Sequence, residues 1–262
     1  MTLIARLDSR ALVRVAGPDA RLFLHNLLTQ DVEGLGEGEL RFGALLSPPG
    51  RLLFDLFLWG EGDGVTLDVA ADRRDGLIQR LSMYRLRAKV EIAADDRAVF
   101  TAWGEGPPAP GFVADPRLPG LGWRGLSAAD PTADEPAWRA HELAHGVPGT
   151  PDSPPDKDYP IEANFDLLNG IDFAKGCFIG QETTSRMKRR GAIKNRMLPI
   201  RFDGPPPAFG AEVLLDGDRR AGEVRGGIDG RAMALLRLDR IDGLLTVDGR
   251  PIAVERPGWL LG

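Results

Sequence analysis

The sequence predicts an α+β fold closed by an all-β unit. Three observations lead there. Apolar runs separated by hairpin-type turns give an antiparallel meander. Helical stretches interrupt the strands without the regular alternation of a parallel α/β sheet. From Asn195 the chain becomes a string of short strands with Gly and Asp turns, the spacing of a small antiparallel barrel. Two units follow, 1–194 and 195–262.

Taken in order, GPDARLFLHNLLTQ opens a helix: Pro18 suits its first position, Asp19 its positive end, and Ala20, Phe23, Leu24, Leu27 and Leu28 share one face. LRFGALLS, RLLFDLFLW and GVTLDVA follow as strands, turned by SPPG and GEGDG. A helix over 72–83 feeds a strand, YRLRAKVEI, and the weaker strand signals of 93–125 extend the central sheet. A helix over 135–145 ends in a Pro, Asp and Gly-rich connection that cannot stay helical. A last helix over 181–190 precedes the barrel strands NRMLPIRF, AEVLLD, RRAGEVRG, AMALLRL, LLTVD and RPIAVE.

Composition excludes several function classes. With 43% hydrophobic and 27% charged residues the chain is globular, and its apolar runs fall short of a membrane span. A formal charge of −5 argues against a general nucleic-acid binder. MTLIARLDSR lacks the features of a secretory or mitochondrial leader, and a single cysteine suits a reducing compartment, so a cytoplasmic monomer is expected.

Three constellations could carry chemistry. HELAH, from His141 to His145, is a literal H-E-x-x-H, which on a helix sets two imidazoles on one face for zinc with Glu142 as base. The extended zinc pattern fails, because Pro148 and Pro151 stand at its glycine and histidine positions, so no metal is expected and a surface helix is the plainer reading. In YRLRAKVEI, strand alternation would project Arg85, Arg87 and Lys89 to one side, as an ordinary edge strand or as a basic wall for an anionic ligand.

The third constellation is KGCFIGQE, which carries Cys177. Gly176 and Gly180 permit a tight loop into a helix, and the positive end of that helix beside Lys175 and Arg186 would favour a thiolate. A lone cysteine is as readily an inert buried residue. Seven cations (Arg186, Lys188, Arg189, Arg190, Lys194, Arg196, Arg201) without one acid then point to an acidic ligand or partner.

KGCFIGQETTSRMKRRG closely resembles the signature of the YgfZ-type folate-binding proteins, the iron–sulfur cluster assembly and repair branch of the glycine cleavage T-protein superfamily. GPDARLFLHNLLTQDV, LLSPPGRLLFDLFL, MYRLRAKVEI, YPIEANFDLLNGIDF and ALLRLD agree in order, so the resemblance spans nearly the whole chain. It implies a folate-binding domain built partly on ferredoxin-like units, with a small β-barrel behind it. It further implies a central cavity for tetrahydrofolate or a derivative, polyglutamated forms included. Glu162 aligns with the acidic residue of an L-E-A-G segment and would meet the pterin. Asp55, Lys175, Gly176, Gln181, Glu182, Arg186, Arg85 and Arg87 would complete the folate site, the cations meeting the glutamate tail.

Two departures bear on the reaction. The T-protein has an Asp-Asp pair in G-G-x-x-D-D-L where this chain has Phe54-Asp55, and K-G-D-F-I-G where it has KGCFIG. Both favour cluster assembly or repair, with Cys177 as the acting thiol, over folate-dependent aminomethyl transfer, and leave open whether the protein is an enzyme. One cysteine cannot hold a cluster alone, so partners are expected among iron–sulfur assembly proteins or client iron–sulfur enzymes.

Overall fold

The computed structural model describes residues 1–106, 108, 110–191 and 193–260. The chain opens with two strands, β1 (Thr2–Arg6) and β2 (Arg10–Ala16), then α1 (Ala20–Leu27). The meander β3 (Leu40–Leu46), β4 (Leu52–Glu61) and β5 (Gly64–Ala70) follows, then α2 (Arg74–Arg85) and β6 (Glu91–Asp95). These strands form one antiparallel sheet in the order β3-β4-β5-β2-β6. The helices α1 and α2 cover its first face: Phe23, Leu24 and Leu27 of α1 and Leu77 and Leu81 of α2 meet Leu56, Leu58, Val65 and Leu67 in one apolar cluster. The face read from the spacing of α1 is the buried one. Pro18 instead sits in the preceding turn, and Asp19 is the N-cap.

Two expectations are corrected here. YRLRAKVEI is not a strand throughout: Tyr84 and Arg85 finish α2, Leu86 takes φ 45°, and pairing resumes only at Glu91. A polar–apolar alternation that short fits the end of a helix as well as a strand. Nor does 93–125 simply extend the central sheet. β7 (Phe100–Gly104), β8 (Phe112–Ala114) and β9 (Trp123–Gly125) join β1 in a second sheet of order β1-β7-β9-β8.

Residues from the other face of the first sheet (Phe42, Phe57, Trp59) meet Ala5 and Trp103 of the second and Val99 just before it, together with Trp138 and Leu143 of α3 (Glu135–Ala144). The N-cap of α3 is Asp134, whose side chain accepts from the Ala137 N–H at 2.9 Å. Turns and a short 3₁₀ segment carry the chain to α4 (Gln181–Arg190).

The last strands are β10 (Asn195–Arg201), β11 (Glu212–Leu215), β12 (Arg219–Ile228), β13 (Arg231–Arg237), β14 (Leu245–Val247) and β15 (Arg250–Val254). They close a barrel in the order β10-β13-β12-β11-β14-β15, sealed where Ile200 pairs with Val254. The α+β architecture with a terminal antiparallel barrel is therefore as the sequence reads. The barrel is fastened to the preceding body by Asn164 Nδ2, which donates to the Met197 carbonyl at 2.7 Å, and by Arg196, which pairs with Asp166 at 2.9 Å. No described helix is long and apolar enough to cross a membrane.

Candidate functional site

Between the two sheets lies a cavity of about 450 Å³. Phe42 of β3, Phe57 of β4, Trp138 of α3 and Phe165 form apolar walls, and Ile228 of the barrel reaches its edge. Of its polar lining, Arg10, Asp55, Arg117, Arg124, Arg139 and Glu142 belong to a continuous chain of alternating charges whose other members lie behind it. Arg10 Nη1 meets Asp55 at 2.8 Å and Arg10 Nε meets Asp68 at 2.5 Å. Asp68 meets Arg124 at 2.7 Å, and Arg124 lies 3.5 Å from Asp115. Asp115 is held by Arg117 at 2.9 Å, and Arg117 holds Glu142 at 2.9 Å. Glu142 lies 3.5 Å from Arg139, which grips Asp152 at 2.7 Å.

These residues come from β2, β4, β5, β9, α3 and the loops between them, so the chain is assembled only by the complete fold. Phe57 is its apolar floor, with the Arg124 guanidinium 3.6 Å from the ring centroid and that of Arg117 at 5.0 Å. Burial pushes Arg124 down from its ordinary value against the pull of Asp68 and Asp115. Burial likewise raises Asp152. At Asp55 burial acts upward, but the Arg10 charge and hydrogen bonds from Thr150 and Arg10 outweigh it, and the carboxyl stays below its usual range.

Asp55 is the expected site residue that the structure places in the cavity. Arg10 and Thr150 both reach its Oδ2, at 2.8 and 2.7 Å, and among the described residues no donor reaches Oδ1. Phe54 points the other way, toward α2, where its ring sits 5.5 Å from the Arg73 guanidinium. Strand alternation thus alters the meaning of the missing carboxylate: an acid at position 54 would face the helices, not the cavity.

Glu162 stands apart from this cavity. It lies outside the cavity lining, where Oε2 accepts from the Tyr159 N–H at 3.1 Å and Oε1 from Asn195 Nδ2 at 2.9 Å, tying a turn to the first barrel strand. Arg85 and Arg87 are also elsewhere, exposed around an open depression near Gly17. HELAH has structural work. Glu142 belongs to the ionic chain, His141 Nε2 lies 3.1 Å from the Leu121 carbonyl, and the His141 and His145 rings meet at 4.3 Å with their planes tilted by 55°. His141 is half-buried, which, with His145 beside it, lowers its pKa.

KGCFIGQE forms a second locus. Lys175 Nζ donates to the carbonyls of His25, Leu28 (2.7 Å) and Gln30 (3.0 Å) at the end of α1, where cations are favoured. Burial lowers the amine from 10.5 to about 8. Gly180 has φ 80°, and a Cβ there would stand 2.7 Å from Gly50 Cα, so glycine alone lets α4 start against the β3–β4 turn. Between these anchors Gly176 and Cys177 are exposed, and the neighbouring Phe178 is buried in the apolar cluster that holds Phe42, Phe57 and Phe165. Exposure removes burial as the reason for the cysteine, which precedes the N-cap Gly180 and lies outside the first turn of α4.

Gln181 and Glu182 open α4, and Arg186 and Arg189 stand exposed along it. The side chain of Arg190 lies outside the described residues. The basic run is partly internal: Arg196 and Lys188 both pair with Asp166, at 2.9 and 3.4 Å, and Arg201 lies 3.6 Å from Glu255.

Sequence reasoning missed most of the ionic chain. Asp68, alone in the apolar strand GVTLDVA, was its one visible signal, since a charge with both neighbours buried needs a partner.

Comparison with known proteins adds the following. Residues 194–261 match the family described as CAF17, C-terminal beta-barrel domain. A human protein described as mitochondrial iron–sulfur cluster assembly factor IBA57 is 32% identical, over 97% of this chain and 84% of its own. A mitochondrial IBA57 homolog of Phaeosphaeria nodorum is 35% identical over 76% of this chain and 55% of its own. The structure of the glycine cleavage system aminomethyltransferase T from Bartonella henselae superposes with a TM-score of 0.78, covering 98% of this chain and 86% of that one at 17% identity, so the fold is of that aminomethyltransferase type. The expected cytoplasmic location is corrected by these relatives, which are described as mitochondrial.

Two measurements check this geometry. Arg124→Met leaves Asp68 and Asp115 buried beside one cation fewer and should cost about 3–5 kcal/mol in urea unfolding. Arg6→Met, at an exposed pair, should cost about 0–1 kcal/mol. Equal costs would contradict the buried chain. For Lys175, the folded protein binds fewer protons than the unfolded one between pH 8 and 10.5, so this group's contribution to stability rises with pH there. Wild type should gain on Lys175→Met across that window, and parallel stability curves would contradict the burial of the amine.

Proposed function

Because this chain belongs to the IBA57 family of iron–sulfur cluster assembly factors, we propose that it serves that role through two separate loci, a cavity for a reduced folate and the exposed Cys177 loop. The observation that carries the folate reading is Asp55, a lining residue whose carboxyl is held below its usual range and whose Oδ1 has no donor among the described residues, beside the aromatic rings of the same cavity. A carboxylate so placed accepts the paired N–H edge of a pterin, and the Phe42, Phe57 and Trp138 rings suit a flat heterocycle. The volume lies within the roughly 300–1,000 Å³ usual for small-molecule sites. Tetrahydrofolate, when bound, supplies a one-carbon carrier; Asp55 would orient it, while Arg10 and Thr150 hold Asp55.

Cys177 acts in trans on this reading. It offers a single thiol, and clusters are usually held by four ligands, so a partner must supply the rest. The KGCFIGQE motif also favours the YgfZ-type branch as the finer assignment. A second reading, folate-dependent one-carbon transfer, is favoured by one observation: the carboxylate that this chain keeps is the one facing the cavity.

Titration calorimetry with tetrahydrofolate separates the loci. Asp55→Asn should weaken binding by about 10- to 100-fold, the size of a hydrogen bond to a charged group. Cys177→Ser should bind folate and melt as wild type does, yet fail to restore iron–sulfur enzymes in a strain lacking the gene. Full restoration by Cys177→Ser would remove the thiol from the account, and unchanged affinity in Asp55→Asn would move the ligand elsewhere.

A further inference from the structure

The residues that the cavity leaves unused form a surface of their own. After α2 the chain runs Arg85-Leu86-Arg87-Ala88-Lys89, and Leu86 is 89% exposed with φ 45° and ψ −104°. A branched residue rarely takes a positive φ, and it stays there only where its surroundings impose it. They do. The Lys89 N–H donates to Asp19 Oδ2 at 2.7 Å, and the Ala88 N–H to the Arg85 carbonyl at 2.8 Å. On the other side Gly17, at φ 116°, lets the β2–α1 turn approach so closely that a Cβ there would stand 2.6 Å from the Lys89 carbonyl.

The loop is thus rigid, and it holds an apolar side chain in water between cations. Arg85, Arg87 and Lys89 have no salt bridge or side-chain hydrogen bond among the described residues, in a protein of net charge −5. Asp63 and Glu91 edge the same depression, and Asp63 is already paired with Arg14 at 2.8 Å.

We propose that this loop is a docking surface for an acidic protein that gives or receives the cluster, with Leu86 entering an apolar socket ringed by the partner's carboxylates. Unpaired cations that oppose the protein's net charge steer an acidic partner and fix its register. An anionic membrane fits less well: one rigid leucine is not the broad apolar face that interfacial binding uses, and Asp63 and Glu91 would repel the headgroups. The proposal rests on the cluster-assembly role and on neither the folate nor the thiol.

The test compares wild type, Arg85→Glu/Arg87→Glu and Leu86→Gly by restoration of iron–sulfur enzyme activity in the deletion strain, by melting curves, and by sedimentation with phosphatidylglycerol-phosphatidylcholine vesicles. Leu86→Gly relieves a left-handed backbone and should raise the melting temperature while lowering restored activity, a combination that a purely structural loop does not give. The charge reversal should lower restored activity by roughly tenfold or more, melt normally and leave vesicle binding absent, as in wild type. Full restoration by both variants, or vesicle binding that the reversal removes, would overturn the docking surface. Failure of wild type itself to restore activity would instead bring down the assembly role, and this proposal with it.

Discussion

The structure turns on one buried chain of charges, Asp55-Arg10-Asp68-Arg124-Asp115-Arg117-Glu142-Arg139-Asp152. It crosses from one sheet to the other and on to α3 and the following turn, the elements that enclose the cavity. Such a chain is a poor source of net stability, because desolvating each ion offsets most of the attraction that follows. Its effect is to fix shape: every carboxylate has a guanidinium partner in one geometry, and a slip of either sheet would strand a buried charge. The cavity consequently stays open against the apolar collapse that Phe42, Phe57, Trp138 and Phe165 would otherwise favour.

The cysteine locus is built differently and shares the same core. Lys175 on the α1 carbonyls and Gly180 on Gly50 pin the loop from both ends, leaving Cys177 outside and Phe178 inside. An exposed thiol on a rigid loop suits a partner that must find it, whereas a cavity walled by aromatic rings suits a small molecule. The family resemblance joins these into one folate site, whereas in the fold the loop of Cys177 lies outside the cavity lining.

Much of this was legible in the sequence where periodicity is strong. The apolar face of α1, the meander turns at SPPG and GEGDG, and the barrel strands follow from spacing and turn residues. The first two strands went unread because TLIAR and RALVRVA are short and follow no turn signal. YRLRAKVEI misled because alternation over so few residues does not reveal one backbone reversal at Leu86. The ionic chain could not be read at all: Arg10 and Thr150, or Asp68 and Arg124, are far apart in sequence and meet only once both sheets are formed. HELAH shows why a local motif alone is weak: its glutamate is committed to two arginines in the fold.

The central claim is that the cavity between the sheets, and not the Cys177 face, receives the small molecule. A crystal structure of the protein grown with tetrahydrofolate tests it most directly. The account predicts the pterin between Phe42, Phe57 and Trp138 with its N–H edge on Asp55 Oδ1, and with the ionic chain unmoved. A folate lying instead along α4 beside Cys177 and Arg186 would contradict it.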